Sequence, residues 1–372
     1  MITFMGQEMF LWEDNLIQQD YEKSSYKILV FDWERWVYFN TDWYEPTDDD
    51  KIIVAELIAE IKKHDICFFF ITEMIDMTCD AITMSRSELI RNLLTEMNKL
   101  NVVYFMVSED THFPIDKSKS LNIPWFADKH IYTSKATTID FDYRPKDFTF
   151  NMLLGSDRDY RTLFFELLCN EPYVYSTYFG HKKFRPKSAM HLEDDDILHN
   201  LSNQDISSSK LQTMSEHVWR TWRNVCISHT IPEKIYNNSH FDIVMESRPL
   251  LNTLNFTTEK TGKPISTGRF FIWYDSPNKI EYLRQFGFEF QDYLSDYDKV
   301  QCNVDRLAQV TELIKEIGDN ENYIKKIYKD TKDARMHNQE VFNKLSETYK
   351  YNINSWLSEQ INRSYNSEKA HG

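Results

Sequence analysis

Glycine is what this chain of 372 residues most conspicuously does without: it has 8, where average usage of roughly 7% would supply about 26. With Ile, Asn, Lys, Tyr and Phe all abundant, the scarcity points to an AT-rich coding sequence. It also fits the absence of glycine-rich phosphate cradles, since neither a P-loop nor a Gly-x-Gly-x-x-Gly fingerprint occurs. No His-Glu-x-x-His is present, and the eleven histidines show no ligand spacing, so metal catalysis is not expected and no cofactor is obligatory. The five cysteines, Cys67, Cys79, Cys169, Cys226 and Cys302, are scattered, odd in number and without zinc-like pairing, which suits a reducing, cytoplasmic compartment. The longest apolar run, Ile66 to Ile71, is far short of the ~20 residues that span a bilayer. The N-terminus has no basic segment followed by an apolar one, so neither a signal peptide nor a membrane span is expected.

Positive charge is also in short supply. The net charge is −15, and residues 1–150 hold 27 acidic side chains against 15 basic ones. Residues 151–372 are close to balance at 31 against 28. A strongly acidic first half disfavours non-specific polyanion binding, which depends on Lys and Arg neutralising phosphates. The second half is the better place for an anionic ligand.

What is there is enough for packed cores: 41% hydrophobic and 15% aromatic residues, in a length that implies two domains. The first half alternates apolar runs with amphipathic stretches. Lys27 to Phe31, Ile66 to Ile71 and Asn101 to Val107 read as strands, Asp50 to His64 and Ser85 to Leu100 as helices, the latter opened by a Ser85/Glu88 capping box. Such alternation predicts βα units and a parallel sheet. Residues 112–145 are irregular and are expected to carry the domain crossing. A second series follows: strands at Phe148 to Leu154, Tyr173 to Phe179, Phe241 to Met245 and Phe270 to Tyr274, and helices at Arg158 to Cys169 and Asn303 to Ile317. Residues 190–212 are polar and aperiodic, a predicted loop. From Asn320 onward a long amphipathic helix is expected.

The chemically informative stretch is 240–290. Thr258 is a good N-cap for a short helix, Glu259 sits in the first turn where the helix dipole favours acid, and Gly268 is placed to stop it. Lys260 and Lys263 are three apart and share a face. A helix N-terminus with adjacent lysines is a ready phosphate site, and a neighbouring carboxylate can accept hydrogen bonds from sugar hydroxyls. On spacing alone this is equally an ordinary capped helix with a solvated basic face.

The run Phe256-Thr257-Thr258-Glu259-Lys260-Thr261-Gly262-Lys263-Pro264, the strand Gly268-Arg269-Phe270-Phe271-Ile272, and Ser276-Pro277 ahead of Tyr282-Leu283-Arg284-Gln285-Phe286-Gly287-Phe288 resemble the donor-binding segment of α-1,3-fucosyltransferase-like GT-B glycosyltransferases. They are similar, more closely still, to glycosyltransferase-like proteins of large bacteriophages and marine bacteria. Phe150 to Gly155 followed by Arg158 and Arg161 matches a second piece of that pattern. The likeness covers roughly 149–295. Gly262 departs from it where an aromatic is usual, and Thr267-Gly268 replaces a commoner Ala-Gly.

The resemblance implies an α/β GT-B fold: two Rossmann-like domains facing across a cleft, 1–147 on the acceptor side and 148–319 binding the nucleotide sugar, with a helical tail over 320–372. It implies that Glu259 holds the ribose hydroxyls and that Lys260 and Arg161 neutralise the departing diphosphate, with Thr258, Lys263, Arg158, Arg248 and Glu246 in supporting places. The donor would be a UDP- or GDP-sugar and the acceptor a hydroxyl. A hydroxymethylated pyrimidine in DNA is one such acceptor, and a surface glycan precursor or protein another. A non-catalytic GT-B relic that only binds nucleotide or glycan also stays open. An acceptor hydroxyl needs a base, and acids just past parallel strands are the place to look. Glu73 and Asp32 are chosen ahead of Glu109 and Asp110. Four Asp-x-Asp pairs, at Asp48/Asp50, Asp140/Asp142, Asp157/Asp159 and Asp194/Asp196, are read as coincidence in so acidic a chain. Trp33 and Trp36 are candidates for stacking a sugar or base, although packing is the commoner use of such clusters.

Overall fold

The computed structural model describes residues 2–5, 27–32, 47–71, 88–100, 102–106, 120–122, 125–127, 141–155, 159–178, 231, 233–246 and 257–371. The expected loop at 190–212, the Ser85 cap, Trp33 and Trp36 lie outside them. The chain is mixed α/β and divides into two compact units. The first is Met1–Trp125, Thr253–Phe256 and Glu347–Gly372, and the second is Phe126–Asn252 and Thr257–Ser346.

In the first unit, β1 (Ile2–Met5), β2 (Ile28–Asp32), β3 (Ile66–Ile71), β4 (Val102–Met106) and β5 (Ser120–Asn122) form a parallel sheet in sequence order. β3 (Ile-Cys-Phe-Phe-Phe-Ile) is an unbroken apolar run, the pattern expected of a strand inside a parallel sheet. Helix α1 (Asp48–Ile61) joins β2 to β3, and α2 (Glu88–Asn98) joins β3 to β4. The two helices touch. That is expected when right-handed crossovers step the same way along a sheet and so leave their helices on one face. Helix α1 begins at Asp48, two residues before the apolar spacing suggests. Thr47 and Asp50 form a reciprocal capping box, with the Thr47 side chain taking the Asp50 N–H and the Asp50 carboxylate taking the Thr47 N–H. One Asp-x-Asp pair is thereby explained as helix initiation. Leu29, Val54, Leu57, Leu93, Leu94, Met97 and Tyr104 form the interior.

The second unit holds β6 (Phe148–Leu154), α3 (Asp159–Leu168), β7 (Val174–Tyr178), α4 (Glu233–Asn238), β8 (Ser239–Met245), α5 (Glu259–Ser266), β9 (Phe271–Tyr274), α6 (Lys279–Gln285) and α7 (Asn303–Ile317). Helix α8 (Glu321–His371) starts in this unit. The four strands are all parallel in the order β7-β6-β8-β9. From β6 the chain steps outward to β7, then returns to β6's other side with β8 and continues to β9. The winding therefore reverses between β6 and β8. Right-handed crossovers in opposite directions put helices on opposite faces. One apolar cluster packs Phe150, Met152, Phe241, Ile243 and Ile272 against Phe164 and Leu168 of α3 and Val310 and Ile314 of α7. The other packs Val244 and Trp273 against Ile265 of α5 and Ile280 and Leu283 of α6. Both clusters draw on α8, through Ile324, Ile327 and Tyr328 in the first and Phe342 in the second. The start of the C-terminal helix is thus part of this core. Among the described residues, no helix is long and apolar enough to cross a membrane.

Candidate functional site

In open parallel α/β sheets, ligands collect beyond the carboxyl ends of the strands where the winding reverses. In the second unit that place is set by Gly155 after β6, Glu246 after β8 and Asp275 after β9. The side chain of Glu246 is fully buried. Its carboxylate accepts hydrogen bonds from the Thr258 N–H at 3.1 Å, the Thr258 hydroxyl at 2.6 Å and the Thr261 hydroxyl at 2.5 Å. Its carbonyl accepts from the Tyr160 hydroxyl at 3.0 Å and from Arg161 Nη2 at 3.4 Å. One residue at the end of β8 therefore ties the first turn of α3 to the first turn of α5.

Helix α5 is short, and both its ends are held. Thr258 is the N-cap in extended conformation, and its hydroxyl accepts from the Lys260 N–H. At the other end Gly268, at φ +62°, donates to the Ile265 carbonyl, and Arg269 donates to the Pro264 carbonyl. This paired arrangement is a Schellman stop, and the left-handed position is why glycine serves there. Helix α8 adds two further bonds: Gln339 donates to the Ser266 carbonyl at 3.0 Å and Arg335 Nη1 to the Gly268 carbonyl at 3.2 Å. Arg335 also donates to the carbonyls of Phe141 and Tyr328. Burial pushes its pKa down to about 10.

Three ionisable groups stand together on α5. Lys260 Nζ lies 2.7 Å from Glu259 Oε1 and 3.2 Å from the Thr258 hydroxyl. Burial works to raise the Glu259 pKa, but the charge and hydrogen bond of Lys260, the charge of Lys263 and the helix backbone outweigh it and bring it to about 2. Glu259 is thus held anionic. Lys263 is brought down to about 8 by burial and by the charge of Lys260, against the pull of Glu259 and Asp242. Asp242, in the middle of β8, is paired with Arg269 and bonded by Asn151 Nδ2 at 2.7 Å.

The structure thus brings Thr258, Glu259, Lys260, Lys263, Glu246 and Arg161 into one linked neighbourhood. It also gives them unequal access. Glu246 and Arg161 are interior groups, with Arg161 turned onto the carbonyls of Met245 and Glu246. The Lys260 side chain is 24% exposed and that of Glu259 12%. Asp32 is the last residue of β2, in the first unit. Glu73, Arg158 and Arg248 lie outside the described residues.

A group that the sequence reading did not single out sits beside Glu246. Asp275 follows β9, is almost completely buried, accepts from the Ser276 N–H at 2.7 Å and lies 3.1 Å from Lys279 Nζ, which has no exposure at all. Burial pushes the Asp275 carboxyl up to about 7, Lys279 pulls it down, and the charge of Glu246 pushes it up again. Asp298, also buried, accepts from the Ile280 N–H and is raised to about 6, again by burial first. Arg306 lies at 5.5 Å over the Tyr274 ring and donates to the Val300 carbonyl. An acid directly after a parallel strand is the signal that selected Asp32 and Glu73, and Asp275 carries the same signal. No protein-family model matches this chain, and no curated protein matches it.

Proposed function

We propose that the chain is a GT-B glycosyltransferase, moving a sugar from a UDP- or GDP-sugar to a hydroxyl acceptor, with the donor held by the second unit. The observation that carries this reading is the placement of α5. Its capped N-terminus is fixed to the end of β8, beside the reversal of winding, and Glu259 and Lys260 emerge from its first turn. A fixed helix N-terminus favours phosphate through its dipole. An ionised, partly exposed carboxylate suits vicinal ribose hydroxyls, which donate to it. Thr257, just ahead of the cap, adds a buried hydroxyl with no hydrogen-bond partner among the described residues.

In this reading Glu259 binds the ribose and Lys260 offsets charge on the departing diphosphate, with Thr258 and Lys263 nearby. Arg161 and Glu246, being interior, keep the strand end and the helix in register instead of meeting the donor. Arg158 and Arg248 remain supporting candidates, and Asp32 and Glu73 the candidate bases. The two-domain arrangement across a cleft belongs to the same proposal. The acceptor is a hydroxymethylated pyrimidine in DNA, or a surface glycan precursor or protein. The acidity of residues 1–150 favours the latter two.

A second reading, a relic that binds nucleotide or glycan without turnover, draws support from Glu259 and Lys260 satisfying each other at 2.7 Å. Release of UDP or GDP from a panel of nucleotide sugars, with hydroxymethylcytosine DNA and with simple glycans as acceptors, separates the two. Acceptor-dependent release supports transfer. Binding without release on any acceptor supports the relic.

A further inference from the structure

Six ionisable side chains meet beyond β8 and β9, and all are almost completely buried: Glu246, Asp275, Lys279, Asp298, Arg306 and, behind Glu246, Arg161. Burying so many charges costs more in desolvation than their pairing returns, so such a cluster is a poor device for stability. Its members also sit on different elements. Glu246 follows β8, Asp275 follows β9, Lys279 opens α6, Asp298 lies in the turn before α7, and Arg306 is on α7. What they share is an outlet, because Glu246 is the group that grips α5 through three accepted bonds.

We propose that Asp275 and Lys279 form a proton-operated positioning device, in which ionisation of Asp275 places a second buried negative charge beside Glu246 and loosens its hold on the N-terminus of α5. Asp275 and Glu246 directly follow the paired residues Tyr274 and Met245, so the two acids sit at adjacent strand ends. When Asp275 loses its proton to solvent, Lys279 at 3.1 Å is claimed by Asp275 and the two acids repel. Asp298 and Arg306 belong to the same buried cluster and supply one further charge of each sign. The hydrogen bond from the Thr261 hydroxyl is the softest link, since that hydroxyl can turn to a carbonyl one helical turn earlier. The burial-raised Asp275 places the change near neutral pH. As a control over ligand binding the device rests on the nucleotide-sugar reading. As a property of the fold it does not.

The test is hydrogen exchange of the full-length protein without ligand, read as protection factors for the amides of 257–266 between pH 6 and pH 8. Protection in the wild type is expected to fall by roughly fivefold or more across that range, the size of an ordinary coupling between two sites. Asp275→Asn is expected to hold the low-pH protection throughout, and Lys279→Gln to shift the transition to higher pH. Carbon-13 NMR of the Asp275 carboxyl follows the same ionisation in the wild type and requires no variant. Flat protection in the wild type, or unchanged pH dependence in Asp275→Asn, overturns the device. Addition of UDP and of GDP at each pH separates the two claims. A wild-type exchange transition with neither nucleotide bound leaves the device standing and removes the nucleotide reading, whereas binding of either with flat exchange does the reverse.

Discussion

Removing the Glu246 carboxylate should release α5 while leaving the sheet beneath it in place. The side chain is fully buried and accepts three hydrogen bonds, from the Thr258 N–H and from the hydroxyls of Thr258 and Thr261. In Glu246→Ala all three donors lose their acceptor, and each buried donor left unpaired costs about 1–3 kcal/mol. The Thr261 hydroxyl can turn back to a carbonyl one helical turn earlier, which leaves two donors and a small cavity. The sum is about 4 kcal/mol. Glu246→Gln keeps the volume and one accepting oxygen but loses the charge, and should cost about half as much. Because the chain forms two units, a single unfolding free energy is not well defined, and local exchange is the sharper assay. A loss of about 4 kcal/mol lowers protection of 257–266 by up to a thousandfold, with α3 and β6 losing less. Protection of 257–266 equal to wild type in Glu246→Ala would refute the claim that this carboxylate fixes α5.

Three further outcomes follow from the same geometry. Gly268→Ala places a Cβ on a residue at φ +62° and should lower stability by about 1–2 kcal/mol, seen as a fall in Tm. Arg335→Ala removes donors to the Gly268, Phe141 and Tyr328 carbonyls and should cost about 3 kcal/mol by urea titration of the second unit, whereas loss below 1 kcal/mol would mean water replaces the guanidinium. For Asp275 the sign comes from linkage: its folded pKa of about 7 lies above the ordinary 3.8, so between those values the fold keeps a proton that the unfolded chain gives up. That stability is present at low pH and is lost as pH rises through 7, and Asp275→Asn should gain about 3 kcal/mol on wild type between pH 5 and pH 8. The contrary trends from His240, lowered to about 4, and Glu259, at about 2, cancel in the difference between variant and wild type.

Strand positions are readable where the apolar run is unbroken, as at Ile66–Ile71, or interrupted only by single polar residues, as by Thr149 and Asn151 in Phe148–Leu154. Helix α5 is equally readable, since an N-cap threonine and a left-handed glycine are local requirements. Polar strand residues conceal themselves. Ser239 and His240 begin β8 ahead of the expected start at Phe241, Ser239 being satisfied by the Ile235 carbonyl four residues back and His240 by the hydroxyl of the distant Tyr328. The strand order is not written in spacing at all, so the reversal between β6 and β8 could not be placed in advance. The same holds for access. The resemblance implies a phosphate-binding role for Arg161, but packing turns its guanidinium onto the carbonyls of Met245 and Glu246. Asp275 was within reach of the rule that chose Asp32 and Glu73, since it directly follows the strand expected over Phe270 to Tyr274.

The most direct test of the donor site is thermal shift of the full-length protein against UDP-, GDP- and CMP-linked sugars, with Glu259→Ala alongside. At a hundredfold excess over Kd a bound nucleotide adds about 2.7 kcal/mol, enough to raise the Tm by several degrees. The account predicts that one UDP- or GDP-sugar gives that rise and that Glu259→Ala abolishes it. No rise with any nucleotide, or an equal rise in Glu259→Ala, would contradict it.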